Sequence, residues 1–202
     1  MNVAAIILTA AAAIAGGGWW LLTERRTALP GTTHVVTAAA VPALLLGVAA
    51  LAGLAGEEAG DNVVTLASVT AVVAAASCGG IVATALLRLA DHSGRGAEQA
   101  VDDVDATGAS APIDTRAATV AAVSDPRTLR GGAAIGVLER VAVTATLLAG
   151  WPEGLALVLG MKGLGRFPEL NRPPASERFI IGTLGSVLWA IAAAGVVHAL
   201  RT

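Results

Sequence analysis

Charge in this 202-residue chain gathers between long apolar runs, and that segregation limits what the chain can fold into. A helix that crosses a bilayer needs about 20 consecutive apolar residues. Six runs approach that length: 3–22, 34–54, 63–89, 132–149, 155–167 and 179–200. The fifth is short and carries charges, so it is expected to be tilted, half-buried or re-entrant, which is tolerated where protein covers it. Hydrophobic residues make up 55% of the chain and charged residues only 14%, where a soluble domain carries about 25% charge. One soluble core of this size has no room for so much apolar surface. The expected fold is an all-α polytopic membrane bundle of about six transmembrane helices, with the lipid bilayer as its solvent.

The basic residues set an orientation. Of the 13 Lys and Arg, eleven fall on one side of such a bundle: Arg25, Arg26, Arg88, Arg95, Arg116, Arg127, Arg130, Lys162, Arg166, Arg172 and Arg178. The opposite loops hold Glu57, Glu58, Asp61 and Glu153 with no Lys or Arg; Arg140 lies inside a run and Arg201 near the end. Cytoplasmic loops concentrate Lys and Arg, so both termini are expected on the outer side of a bacterial cytoplasmic (inner) membrane. No positive charge precedes the first apolar run, and a cleaved signal peptide needs one; a retained helix is expected there. Trp19 and Trp20 then fall at an inner interface and Trp151 at an outer one, as aromatic belts do. Trp189 falls mid-run and is read as packing.

Three parts follow from this pattern. Residues 1–90 form an apolar half with three spans. Residues 91–130 form a polar cytoplasmic linker, within which 114–123 is a candidate short helix capped by Asp114 and ended before Pro126. Residues 131–202 form a second three-span half that holds every embedded charge. Asp102, Asp103 and Asp105 lack the glycine and distant glutamate of a calcium loop and read as a solvated run. His34, His92 and His198 are scattered, and the single Cys78 reads as a small packing residue. No basic patch suggests nucleic acid, and no motif for a cofactor or a metal appears. Gly132 and Gly136, and Gly182 and Ser186, have the four-residue spacing that lets helices approach closely in lipid. Gly16-Gly17-Gly18 reads as a hinge or a contact patch.

The chemistry concentrates in the second half. At ~1.5 Å per residue, Glu139 and Arg140 lie ~10–14 Å above the inner end of the fourth span, and Lys162 lies ~12–16 Å below the outer turn at 151–154. In a core of ~30 Å these depths nearly coincide. The short turn makes the two helices antiparallel neighbours, so an acid and a lysine at one depth are expected to pair; a lone charge there costs ~2.5–3.5 kcal/mol or more. Lys162, Arg166 and Glu169 share one helix face and form a ladder toward the cytoplasmic surface, with Glu177 and Arg178 at its lower end. Glu139 and Arg140 are about 100° apart. One is expected to face the fifth span, and the other the sixth or a partner subunit.

Embedded charges of this kind usually mark function. Glu139, Arg140, Lys162, Arg166, Glu169, Glu177 and Arg178 are therefore candidate binding residues for an anion or a lipid phosphate, in a small transporter or channel. An enzyme acting on a lipid phosphate is the alternative, weakened by the absence of a paired-acid motif in the spans. A non-catalytic subunit, docking as a homo-oligomer or on a partner membrane protein, is a third class. A closed ion-pair network that locks three helices is the purely structural reading of the same charges.

Residues 130–189 resemble an uncharacterised family of small bacterial integral membrane proteins. The resemblance rests on Gly136-x-Leu138-Glu139-Arg140, on Lys162-x-x-x-Arg166-Phe167-x-Glu169-Leu170, and on Glu177-x-x-Ile180-Ile181-Gly182-Thr183-Leu184-x-Ser186. It covers under a third of the chain. It implies shared architecture and supplies no activity or substrate.

Overall fold

A computed structural model describes residues 2–24, 31–102, 132–170 and 173–202. The described residues form six helices: α1 (Asn2–Glu24), α2 (Thr32–Leu54), α3 (Asp61–Asp102), α4 (Gly132–Leu148), α5 (Glu153–Leu170) and α6 (Pro173–Ala199). Four of them, α1, α2, α3 and α6, are long and apolar enough to cross a membrane. The other two differ in kind. α4 has 17 residues and holds Glu139 and Arg140; α5 has 18 and carries Glu153, Lys162, Arg166 and Glu169.

α3 is the axle of the bundle. It packs on α1, α2, α4 and α6, whereas α5 packs on α4 and α6 at the margin. The two halves distinguished in the sequence are thus joined along α3. Its inward stripe is Ala67, Ala71, Ala74, Ala75 and Cys78, all buried, at the three- and four-residue steps that keep one helix face inward. The facing stripe on α6 is Trp189, Ala190, Ala193, Val196 and Val197. Large side chains point the other way: Ile14, Leu44, Leu51, Leu66, Leu164 and Leu188 are exposed. Small residues inside and branched aliphatics outside invert the soluble arrangement. They fit helices held by close backbone approach in lipid.

Pro42 lies inside α2 and is buried. It removes one backbone donor, which the surrounding helices tolerate in an apolar setting. α3 runs on past the apolar stretch to Asp102 and reaches 42 residues. The linker expected from Asp91 therefore begins as helix. Ala97-Glu98-Gln99-Ala100 are strong helix formers and outweigh Gly94 and Gly96. Asp103, Asp105 and the candidate helix at 114–123 lie outside the described residues, as do Arg25, Arg26, Arg116, Arg127, Arg130 and Arg172.

One end of the bundle is stitched. The Asn2 side-chain amide donates to the Glu57 carbonyl at 2.9 Å, and the Ala59 amide donates to the Leu200 carbonyl at 3.0 Å. Asn2 and Leu200 thus meet on the α2–α3 loop.

Candidate functional site

The α4–α5 hairpin sets the site. Gly150 adopts φ 70°, a left-handed conformation that glycine takes at little cost. The Gly150 amide donates to Leu147 and the Trp151 amide to Thr146, at 3.1 and 2.9 Å, which closes α4 in a Schellman turn. Pro152 stops further winding and Glu153 opens α5, where an acid suits the positive end of the helix. A side chain at Gly154 would meet the Trp151 ring at 2.8 Å, so the turn is compact and the helices return antiparallel.

This geometry brings Lys162 against Glu139. The ammonium donates to the Glu139 carboxylate in an ion pair whose side chains are each 18% exposed. The ammonium also stands 5.9 Å from the centroid of the Phe179 ring on α6, within cation–π range. The pairing follows the depth argument made from sequence.

Arg140, one residue on, turns elsewhere. It is 7% exposed and points chiefly into α3, a neighbour the sequence reading does not give it. A side chain at Gly79 would meet the Arg140 arm and the Trp189 ring, so Gly79 provides the room that the arm occupies. Gly80 lies alongside, and a side chain at Gly136 would come within 3.3 Å of Nη1. Gly136 thus makes room for a guanidinium on its own helix, where close helix contact was expected. A side chain at Gly182 would be in ordinary contact with Leu87, and its companion Ser186 meets Arg140.

The guanidinium is incompletely satisfied. Nη2 donates to the Ala76 carbonyl at 3.0 Å, and Nη1 reaches Ser186 Oγ at 3.5 Å. Nε is buried with no hydrogen-bond partner. Among the described residues no carboxylate forms an ion pair with Arg140. A small cavity adjoins it, lined by Glu139, Arg140, Val143, Val158, Lys162 and Ser186 among others, with about 10 Å³ of room, at the lower limit for one water.

The lower part of the expected ladder differs. Arg178 pairs with Asp91 on α3 at 3.1 Å, in an exposed position, and Glu177 is exposed. Neither meets Lys162; Phe179, the next residue, does. Each residue step turns an α-helix by about 100°, so with Phe179 toward Lys162, Arg178 falls on the flank of α6 that α3 covers. The side chains of Arg166 and Glu169 lie outside those described. Among the described residues, no group of three or more His, Cys, Asp or Glu gathers.

Sequence reasoning missed Gly79, Gly80, Ala76 and Phe179 as parts of the site and took Ser186 only as a small residue. The mid-span Gly79-Gly80 pair was the visible signal for a slot. Trp189 packs as expected and also donates to the Ala74 carbonyl at 3.1 Å. Comparison with family models, with curated proteins and with solved structures finds no match for this chain.

Proposed function

We propose that this chain is a multi-pass protein of a bacterial cytoplasmic membrane that binds a small anion within the bilayer and passes it across. Its ends face outward, following the placement of its Lys and Arg. The observation that carries the reading is Arg140: a buried guanidinium with no carboxylate against it among the described residues, beside a Glu–Lys pair that balances itself. The cluster of Glu139, Lys162 and Arg140 therefore sums to one positive charge. A lone cation at this depth costs ~2.5–3.5 kcal/mol or more. An anion drawn to it recovers that cost, which gives a physical reason for the residue to be retained in an otherwise glycine- and alanine-packed bundle.

Reconstituted liposomes test the reading. With an anion-sensitive dye trapped inside, wild-type protein is expected to admit at least one of chloride, nitrate and phosphate. Arg140→Gln is expected to slow that entry about tenfold or more, the loss of roughly 1.4 kcal/mol of favourable interaction. Wild-type protein that admits none of the three and binds none would end the proposal.

A further inference from the structure

The cavity between α4, α5 and α6 has about 10 Å³ of room, at the lower limit for one water and too little for an anion. An anion that reaches this site must therefore take the place of a group already there. Arg140 offers it little direct contact. Its Nη2 is spent on the Ala76 carbonyl, and its Nε lies against Gly79 of α3. Its charge acts at a distance. The ammonium of Lys162 stands on the cavity wall, and the Glu139 carboxylate holds it. The Phe179 ring covers another side of the same ammonium.

The Glu139 carboxylate is thus a small anion already seated on Lys162 and tethered to α4. When it leaves, it vacates the room its own oxygens fill. Left ionised beside a newcomer, it would put two negative groups against walls that include Val143 and Val158, where like charges are costly. A proton on Glu139 removes that repulsion and releases Lys162 in one step. The charges balance. Ionised Glu139 with Lys162 and Arg140 sums to one positive charge, and neutral Glu139 with both cations and one monovalent anion sums to the same.

The groups that face Glu139 leave it as the proton acceptor at this depth. Arg140 adjoins it on α4, and Lys162 faces it from α5, with Arg166 one turn further along. Between Arg178 and His198, α6 carries no titratable residue. Between Asp61 and Arg88, α3 carries only Cys78, which turns toward Gly16 of α1.

We infer that anion and proton move together: the proton binds the Glu139 carboxylate, and the anion takes its place on the Lys162 ammonium. This rests on the anion-passing reading above and adds the proton as a second substrate, so the chain is a proton–anion cotransporter.

Liposomes carrying the full chain test it, with pH 7 inside and pH 7 or 5 outside as conditions of the assay (about a hundredfold step in protons). Chloride, nitrate or phosphate is the external probe, and trapped dyes report anion and lumen pH. The anion that enters is expected to enter faster in acid, by up to about tenfold per pH unit for one bound proton, and to acidify the lumen as it does. Glu139→Gln keeps the shape and has no proton to trade. It is expected to pass the same anion at one rate at both pH values and to leave the lumen unacidified; for phosphate, which carries protons of its own, it is expected to acidify the lumen less than wild type. Where the glutamine variant does not melt cooperatively, the wild-type pH step decides alone. Entry that is equal at both outside pH values, or acid acceleration that Glu139→Gln retains in full, would overturn the coupling and leave anion passage intact. Entry of none of the three anions into wild-type liposomes would remove the anion reading itself, and the coupling with it.

Discussion

α3 presents two slots on adjacent flanks, one residue and about 100° apart, and they solve the same packing problem with different leftovers. On one face Cys78 enters the space left by Gly16 of α1, where a side chain would meet the sulfur and would come within 3.1 Å of the Cys78 Cα. Its thiol donates to the Ala12 carbonyl at 3.1 Å, and Ser77 reaches the Ala13 carbonyl at 3.2 Å. On the other face Gly79 leaves the space, and Arg140 of α4 enters and donates to the Ala76 carbonyl. Each slot pairs a glycine with an intruding side chain that bonds a helix carbonyl. The cysteine slot is neutral and complete. The arginine slot ends with a net charge and an unused donor. Packing accounts for the first in full and for the second only in part, and the remainder is where function can reside.

Substitutions at the two glycines separate these cases. The largest effect is expected for Gly16→Ala. Its new methyl meets backbone as well as sulfur, so α1 and α3 must move apart, at a cost of about 2–3 kcal/mol. Thermal or denaturant melting of the purified protein reads this, and Cys78→Ala in the same chain should return much of it; a Gly16→Ala protein as stable as wild type would mean that the slot is loose. Gly79→Ala meets the Arg140 arm and the Trp189 ring rather than backbone, so a smaller cost of about 1–2 kcal/mol is expected. Unlike the change at Gly16, it should also reduce anion flux in liposomes, because Arg140 is displaced. Equal flux with lowered stability would make the two slots equivalent and break the contrast. Ser77→Ala is the smallest. Hydrogen bonds between helices in lipid contribute about 0.6 kcal/mol, and this residue also bonds within its own helix. A melting shift near the resolution of the measurement, with unchanged flux, is expected.

What could be read in advance follows from chain distance. Glu139 and Lys162 are 23 residues apart across one tight turn, so rise per residue and a shared depth suffice to pair them. Arg140 bonds Ala76, 64 residues away, across a segment whose path the sequence does not set. Which face of α3 meets α4 is decided by how all the helices pack, and no local spacing encodes it. Arg178 with Asp91, 87 residues apart, was hidden for the same reason. The helical character of the bundle was plain from its apolar runs. The reach of α3 to Asp102 was not, because a helix can outlast its apolar stretch wherever residues such as Ala97 to Ala100 favour it. The glycine spacings were visible too, yet spacing alone does not distinguish a backbone contact from room for an arginine.

α3 packs on α6 as well as on α1 and α2, and the first residue of α6, Pro173, comes 71 residues after Asp102, the last of α3 (173 − 102). Until α6 is made, the face of α3 that packs on it is without that partner, and the Arg140 guanidinium has no Ser186 to lean on. Assembly of this bundle is therefore a late event. A chain cut short before Trp189 would lack both the indole bond to the Ala74 carbonyl and the Ser186 hydroxyl beside Arg140.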